Sequence, residues 1–263
     1  MQGFDLQNTA ENGKMDWRLI QGEISMQEYL MVLVTCAAAV IAGVVLGNSA
    51  VYFFNRLPGQ WLVDYGQEPD EELLHPTRQR IHSVPWKYVF SGLFVVCGIW
   101  LGLRNPLYGV AALALLWLLL LMSIADVKYR IVPDQLVLLL VVCGLGFIPF
   151  HGAGPLGGLW GALAGFGVMI VMGLLGKLIY RKETLGGGDI KLFGALGLAA
   201  GLDGILVIFV LTTLLSAGHL AFLLVKKRVK LTDQQPMVPY IAVSAGIYMV
   251  LLHEISYNIM IGF

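Results

Sequence analysis

Apolar residues fill this chain in long stretches separated by short polar breaks. From Tyr29 to Phe54 there is no charged side chain. Windows dominated by apolar residues recur near 29–54, 88–104, 106–125, 132–150, 155–180, 188–201, 203–225 and 237–255. Most approach the ~20 residues that carry a helix across hydrocarbon. The pattern predicts an all-α, polytopic membrane protein with about eight transmembrane helices. It divides the chain into a polar N-terminal segment (1–28), a first transmembrane helix (29–56), a short hydrophilic segment (57–87) and a seven-helix core (88–263). The sixth window is short: Gly188 to Gly201 is about 14 residues, or about 21 Å of helix, against a hydrocarbon core of about 30 Å. The next window follows at once through Gly201-Leu202-Asp203-Gly204, so this helix is expected to start below the headgroups.

Composition agrees. The 263 residues are 57% hydrophobic and 13% charged, where a soluble chain is nearer one quarter charged. Net charge is +0, which offers no argument for a nucleic-acid partner. Of the 17 lysines and arginines, all but Lys14, Arg18 and Arg104 fall in alternate connections. The positive-inside rule then puts the N-terminus outside and both ends of the short hydrophilic segment in the cytosol. The first 27 or so residues lack the basic start and short apolar core of a cleavable signal peptide. Cys36, Cys97 and Cys143 lie apart within apolar runs, with no C-x-x-C spacing, so no metal site is expected.

Against this background two aspartates stand out. Asp126, in Ser-Ile-Ala-Asp-Val-Lys, and Asp189, in Gly-Gly-Gly-Asp-Ile-Lys, sit at the ends of apolar runs, where an ionisable group is costly and marks function. Two such carboxylates can share a proton, one serving as base and the other as acid. Asp126 closes the third span, the wrong end of a helix dipole for an anion, so capping does not account for it. Asp189 opens the next short helix after Gly186, Gly187 and Gly188, which admit positive φ and leave room for an extended substrate strand. An N-cap after a flexible loop would explain the same residues.

The surrounding residues read more plainly. Asp134 follows Pro133 in what should be the first turn of the fourth helix, a structural position. Lys128 and Lys191 each stand two residues beyond an aspartate, where they either snorkel to the interface or assist the pair. His219 is a lone intramembrane histidine, expected to be a packed, hydrogen-bonded residue. Gly157, Gly161 and Gly165, with Gly197 and Gly201, recur every fourth residue and predict close helix packing. The acidic stretch Asp64, Glu68, Asp70, Glu71 and Glu72 reads as a solvated loop or as a patch for a basic substrate segment.

Together these motifs resemble the type IV prepilin peptidase family, bacterial G-x-G-D aspartyl proteases. The resemblance rests on Asp126 with Asp134 in Val-Pro-Asp-Gln-Leu, on Gly186-Gly187-Gly188-Asp189-Ile190-Lys191, and on Gly47 with Arg56-Leu57-Pro58. It implies Asp126 and Asp189 as the catalytic pair, with Gly186, Gly187, Gly188, Lys191, Lys128 and Asp134 in support. It also implies prepilin or pseudopilin substrates, each with a short basic leader ending in glycine before a hydrophobic helix. Cleavage would fall at the cytosolic face of the bacterial inner membrane. Proteolysis needs no cofactor; S-adenosylmethionine enters if the family's N-methyltransferase activity is retained. Two departures bear on that activity. The family's paired cysteines are missing from 57–87, and Asn48-Ser49 and Val51 stand where the family usually shows Ser-Phe and Asn. Two other classes remain open from sequence: a transporter using intramembrane carboxylates, and an inactive scaffold of a secretion or pilus machine.

Overall fold

The computed structural model describes residues 26–63, 66, 68–69, 73, 79–151, 154–181, 185–227 and 235–253. The polar stretch 1–25, most of the acidic loop (Asp64, Asp70, Glu71, Glu72) and Arg78, Lys182, Arg228, Lys230 and Glu254 lie outside the described residues.

Helices account for the described architecture: α1 (Met26–Arg56), α2 (Trp86–Arg104), α3 (Pro106–Tyr129), α4 (Asp134–Leu145), α5 (Pro155–Tyr180), α6 (Gly187–Val225) and α7 (Val238–Ile247), which runs on into a π-helical turn at Tyr248–Leu252. Among the described residues five helices are long and apolar enough to cross a membrane: α1, α2, α3, α5 and α6. Large apolar side chains such as Leu107, Val110 and Leu178 are exposed on them, as suits lipid contact. The chain is a polytopic all-α membrane protein.

Each of the eight apolar windows is largely helical, and the boundary read between the sixth and seventh falls at a real break. Windows 188–201 and 203–225 form one 39-residue trace, α6, interrupted at Gly201 (φ 72°, ψ 179°). Unbroken, it would be about 58 Å long, nearly twice the hydrocarbon core; only glycine adopts that backbone without strain. The windows near 132–150 and 237–255 yield helices of 12 and 10 residues, too short by themselves to span.

Helix α3 is the axis. Over half of its apolar window (56%) is buried, against 11% to 33% for the other four long helices. Asn105 starts it, its side chain accepting the Tyr108 N–H at 3.1 Å, with Pro106 in the first turn where its missing N–H costs nothing. Arg130 ends it in the left-handed region (φ 59°), returning its N–H to the Asp126 carbonyl at 3.0 Å. Glycines let the helix pairs close up, as their fourfold spacing predicts. A side chain on Gly161 would begin 2.2 Å from the Gly197 carbonyl oxygen, and one on Gly47 would begin 2.2 Å from the Ser91 nitrogen. Those contacts join α5 to α6 and α1 to α2.

The segment after α1 is nailed over one end of the bundle. Buried Arg80 donates from Nη1 to the Leu57 carbonyl at 2.6 Å and from Nη2 to that of Leu73 at 3.3 Å. Asn55 pairs with both backbone groups of Ile81, at 2.9 and 3.1 Å. These bonds hold the 3-10 turn Gly59–Leu62 where it walls the cleft described next.

Candidate active site

A cleft of about 500 Å³ opens where α3, α4 and α6 meet the turn Gly59–Leu62. Its lining includes Asp126, Arg130, Asp134, Gly186–Gly188, Asp189 and Lys191, with Gln60 and Trp61 opposite. Seven of the eight residues singled out from sequence therefore lie on one concavity. Lys128 is the exception: its Nζ donates to the Arg80 carbonyl and lies 5.5 Å from the centroid of the Tyr129 ring. It ties α3 to the loop and does not line the cleft.

Asp126 and Asp189 come from different helices and stand within electrostatic reach of each other. Asp126 is buried (7% exposed), near the C-terminal end of α3. Its Oδ2 accepts the Val238 N–H at 2.9 Å. The carboxylate thus meets the first turn of α7, so the mismatch with its own helix dipole is offset by the favourable end of another. Asp189 lies in the first turn of α6, with its N–H on the Gly186 carbonyl at 3.2 Å.

The glycines act differently from the expectation. Positive φ among the described glycines occurs at Gly66, Gly154 and Gly201; Gly186 is extended at φ −72°, ψ 141°. What matters at Gly188 is space, because a Cβ there would sit 2.8 Å from Val132 Cβ, whereas Gly187 has open space around it. Gly188 lets α6 abut the linker to α4, and Gly187 leaves the cleft side clear. Asp134, in the first turn of α4, takes both its oxygens to Lys191 Nζ at 2.9 Å. This ion pair bridges α4 and α6 at the cleft and joins two residues the sequence had placed separately. His219 bonds the Tyr240 hydroxyl at 2.5 Å but is exposed, not packed in the core.

Val238, Arg130, Gln60 and Trp61 were missed by sequence reasoning. Val238 is 112 residues from Asp126, and nothing local marks its backbone as a partner. Arg130 carried a readable signal, a cation four residues past an aspartate at a helix end. Among the described residues no three His, Cys, Asp or Glu side chains could share a metal ion.

Comparison with known proteins places this cleft in a family. The model of the type IV leader peptidase family matches residues 113–221, which hold Asp126, Asp134 and Asp189. Leader peptidase HopD of Salmonella typhimurium is 32% identical over 130 residues, 49% of this chain and 84% of its own length. The chain belongs to the type IV leader peptidase family. It is also similar to the prepilin leader peptidase/N-methyltransferase of Aeromonas salmonicida, at 34% identity over 139 residues, 52% of this chain and 48% of that protein. The Bacillus subtilis protein of the same name is 27% identical over 174 residues, 61% of this chain and 64% of its own. The chain spans about half the length of the Aeromonas salmonicida relative. No solved structure matches it.

Proposed function

We propose that this protein is an intramembrane aspartyl endopeptidase that removes the short basic leader of type IV prepilins or pseudopilins. The observation that carries the reading is that Asp126 of α3 and Asp189 of α6 line one cleft. One carboxylate takes a proton from water as its oxygen adds to the scissile carbonyl carbon. The other protonates that carbonyl oxygen, and the C–N bond then breaks as the amine leaves with a proton. No covalent intermediate and no cofactor is needed. The pair titrates as a unit.

The distribution of lysine and arginine supports an orientation with the N-terminus outside the bacterial inner membrane and the cleft toward the cytosol. There the cleft would meet a leader before its hydrophobic helix enters the bilayer. The relatives named above carry peptidase names, and the transporter reading draws no support from them.

Methylation of the new N-terminus would require S-adenosylmethionine. At the first-helix motif Asn48 Nδ2 and Ser49 Oγ make local bonds. Asn48 Nδ2 donates to the Val44 carbonyl at 2.8 Å, and Ser49 Oγ donates to that of Leu46 at 2.9 Å while accepting Trp117 Nε1 at 3.1 Å. Val51 is buried. No step is routed through that cofactor.

The test is cleavage, in membranes, of a prepilin whose basic leader ends in glycine. Wild type, Asp126→Asn and Asp189→Asn are compared with S-adenosylmethionine present, and the product is weighed by mass spectrometry. Each variant should lose about 10²–10⁴-fold in rate while melting like wild type. Undiminished turnover in either variant removes that residue from the pair, and a mass gain of one methyl group assigns the second activity.

A further inference from the structure

We propose that the first turn of α7 is a positioning element for the reaction, with the Val238 N–H orienting Asp126 as the group that takes the proton of water. This inference rests on the peptidase reading above. Asp126 lies in the last turn of α3, where the helix N–H groups are engaged within the helix and none is left to hold its side chain. Val238 supplies a donor, and the neighbouring Met237 backbone also reaches the carboxylate. Val238 is the first residue of α7, so its N–H is one of the orphans every helix start carries, and it has no use within the helix. The bond to Oδ2 is buried and 2.9 Å long.

The turn itself is fastened on both sides. Ser123, three residues before Asp126 on α3, donates from Oγ to the Leu119 carbonyl at 2.7 Å and lies 3.5 Å from the Val238 carbonyl oxygen. Tyr240, one step along α7, bonds His219 of α6 through its hydroxyl. The same turn of α7 is thus attached to α3, which carries Asp126, and to the part of α6 beyond its break at Gly201. It acts on Asp126 from outside the family match at 113–221. With Oδ2 on the Val238 N–H, Asp126 is the member of the pair held by donors in its ionised form to take the proton of water, and Asp189 is left to protonate the scissile carbonyl oxygen.

The experiment replaces the Val238 amide by an ester, introducing 2-hydroxy-3-methylbutanoic acid at 238 in the full chain. This deletes the N–H and keeps the side chain. A control ester at Ile241 removes an N–H of the same turn that bonds the Met237 carbonyl at 3.2 Å and never reaches Asp126. The expected result at 238 is a fall in kcat of about ten- to hundredfold, the value of a bond to a charged group, with KM unchanged. The control ester should keep wild-type kcat. Three results overturn the proposal: wild-type kcat in the 238 ester, a change confined to KM, or an equal loss of kcat in the 241 control. Failure of wild type to cleave a prepilin in the same assay instead sinks the peptidase reading, and this inference falls with it.

Discussion

Asp134 and Lys191 meet at 2.9 Å through both carboxylate oxygens, bridging α4 and α6 at the cleft that also holds Asp126 and Asp189. The pair is half-open to solvent, with side-chain exposures of 33% and 51%. An ion pair so placed contributes about 0–1 kcal/mol, because water screens the attraction and two side chains lose freedom. Asp134→Asn is therefore expected to lower stability by less than about 1 kcal/mol and to leave cleavage nearly intact. Thermal melts alongside prepilin cleavage check both. A well-folded but inactive Asp134→Asn protein would promote this residue from tether to participant in the chemistry.

Glycines 187 and 188 are neighbours with opposite demands. A Cβ on Gly188 would press on Val132 Cβ at 2.8 Å, and one on Gly187 would meet nothing within 4 Å. Gly188→Ala should cost about 1–3 kcal/mol, the range for overpacking, as the start of α6 is pushed off the linker to α4. Gly187→Ala should melt like wild type. If Gly187→Ala also slows cleavage without loss of stability, the space beside Gly187 is where substrate backbone approaches. Equal stability of both variants would mean that Val132 gives way easily.

How much of this could be read from sequence depended on whether the information was local. Helix class, the aspartates and the fourfold glycine spacing are written into short windows, and the structure draws Asp126, Asp189, Asp134, Lys191 and Gly186–Gly188 onto one cleft. The break at Gly201 was legible too, since the sixth window ends there and the next begins at once, and the backbone of α6 turns at that glycine. What the windows do not report is helix length: those near 132–150 and 237–255 give helices of 12 and 10 residues. Lys128 and Lys191 look alike in sequence, each two residues past an aspartate. One points to a loop carbonyl and the other to Asp134, since partners are set by the packing of helices far apart in the chain. The Val238 contact is the extreme case: a backbone N–H has no sequence signature at all.

The seam between α5 and α6 offers a sharper test of glycine packing. Gly161 faces the Gly197 carbonyl oxygen so closely that a methyl group would begin 2.2 Å from it, whereas Gly167, further along α5, faces open space. Because backbone cannot move aside as a flexible side chain does, Gly161→Ala must part the two helices. It should lower the melting temperature and, since α6 carries Asp189, slow cleavage as well. Gly167→Ala replaces a poor helix former by the best one in an unobstructed place and should be neutral, or stabilising by up to about 1 kcal/mol. Matching behaviour of the two variants would show that close approach at Gly161 contributes little.

His151, in the connection between α4 and α5, makes the break in α6 sensitive to pH. Its Nε2 lies 3.1 Å from the Leu198 carbonyl oxygen, one of the acceptors that the interruption at Gly201 frees. A side chain on Gly201 would begin 3.1 Å from its Nδ1, so the ring fills the notch of the kink. Burial disfavours the imidazolium and holds His151 below its ordinary value of 6.5, a pull that the Leu198 bond opposes less strongly. With the folded value depressed, the unfolded chain binds more protons as pH falls through that range. The neutral histidine's contribution is therefore present above pH 6.5 and declines below it. Melts taken between about pH 8 and pH 5 should show wild type losing stability more steeply than His151→Gln, which keeps an N–H for Leu198 but cannot titrate. Parallel curves for the two proteins would mean that His151 keeps the same protonation on unfolding, and the break in α6 would then owe its stability to the Gly201 backbone alone.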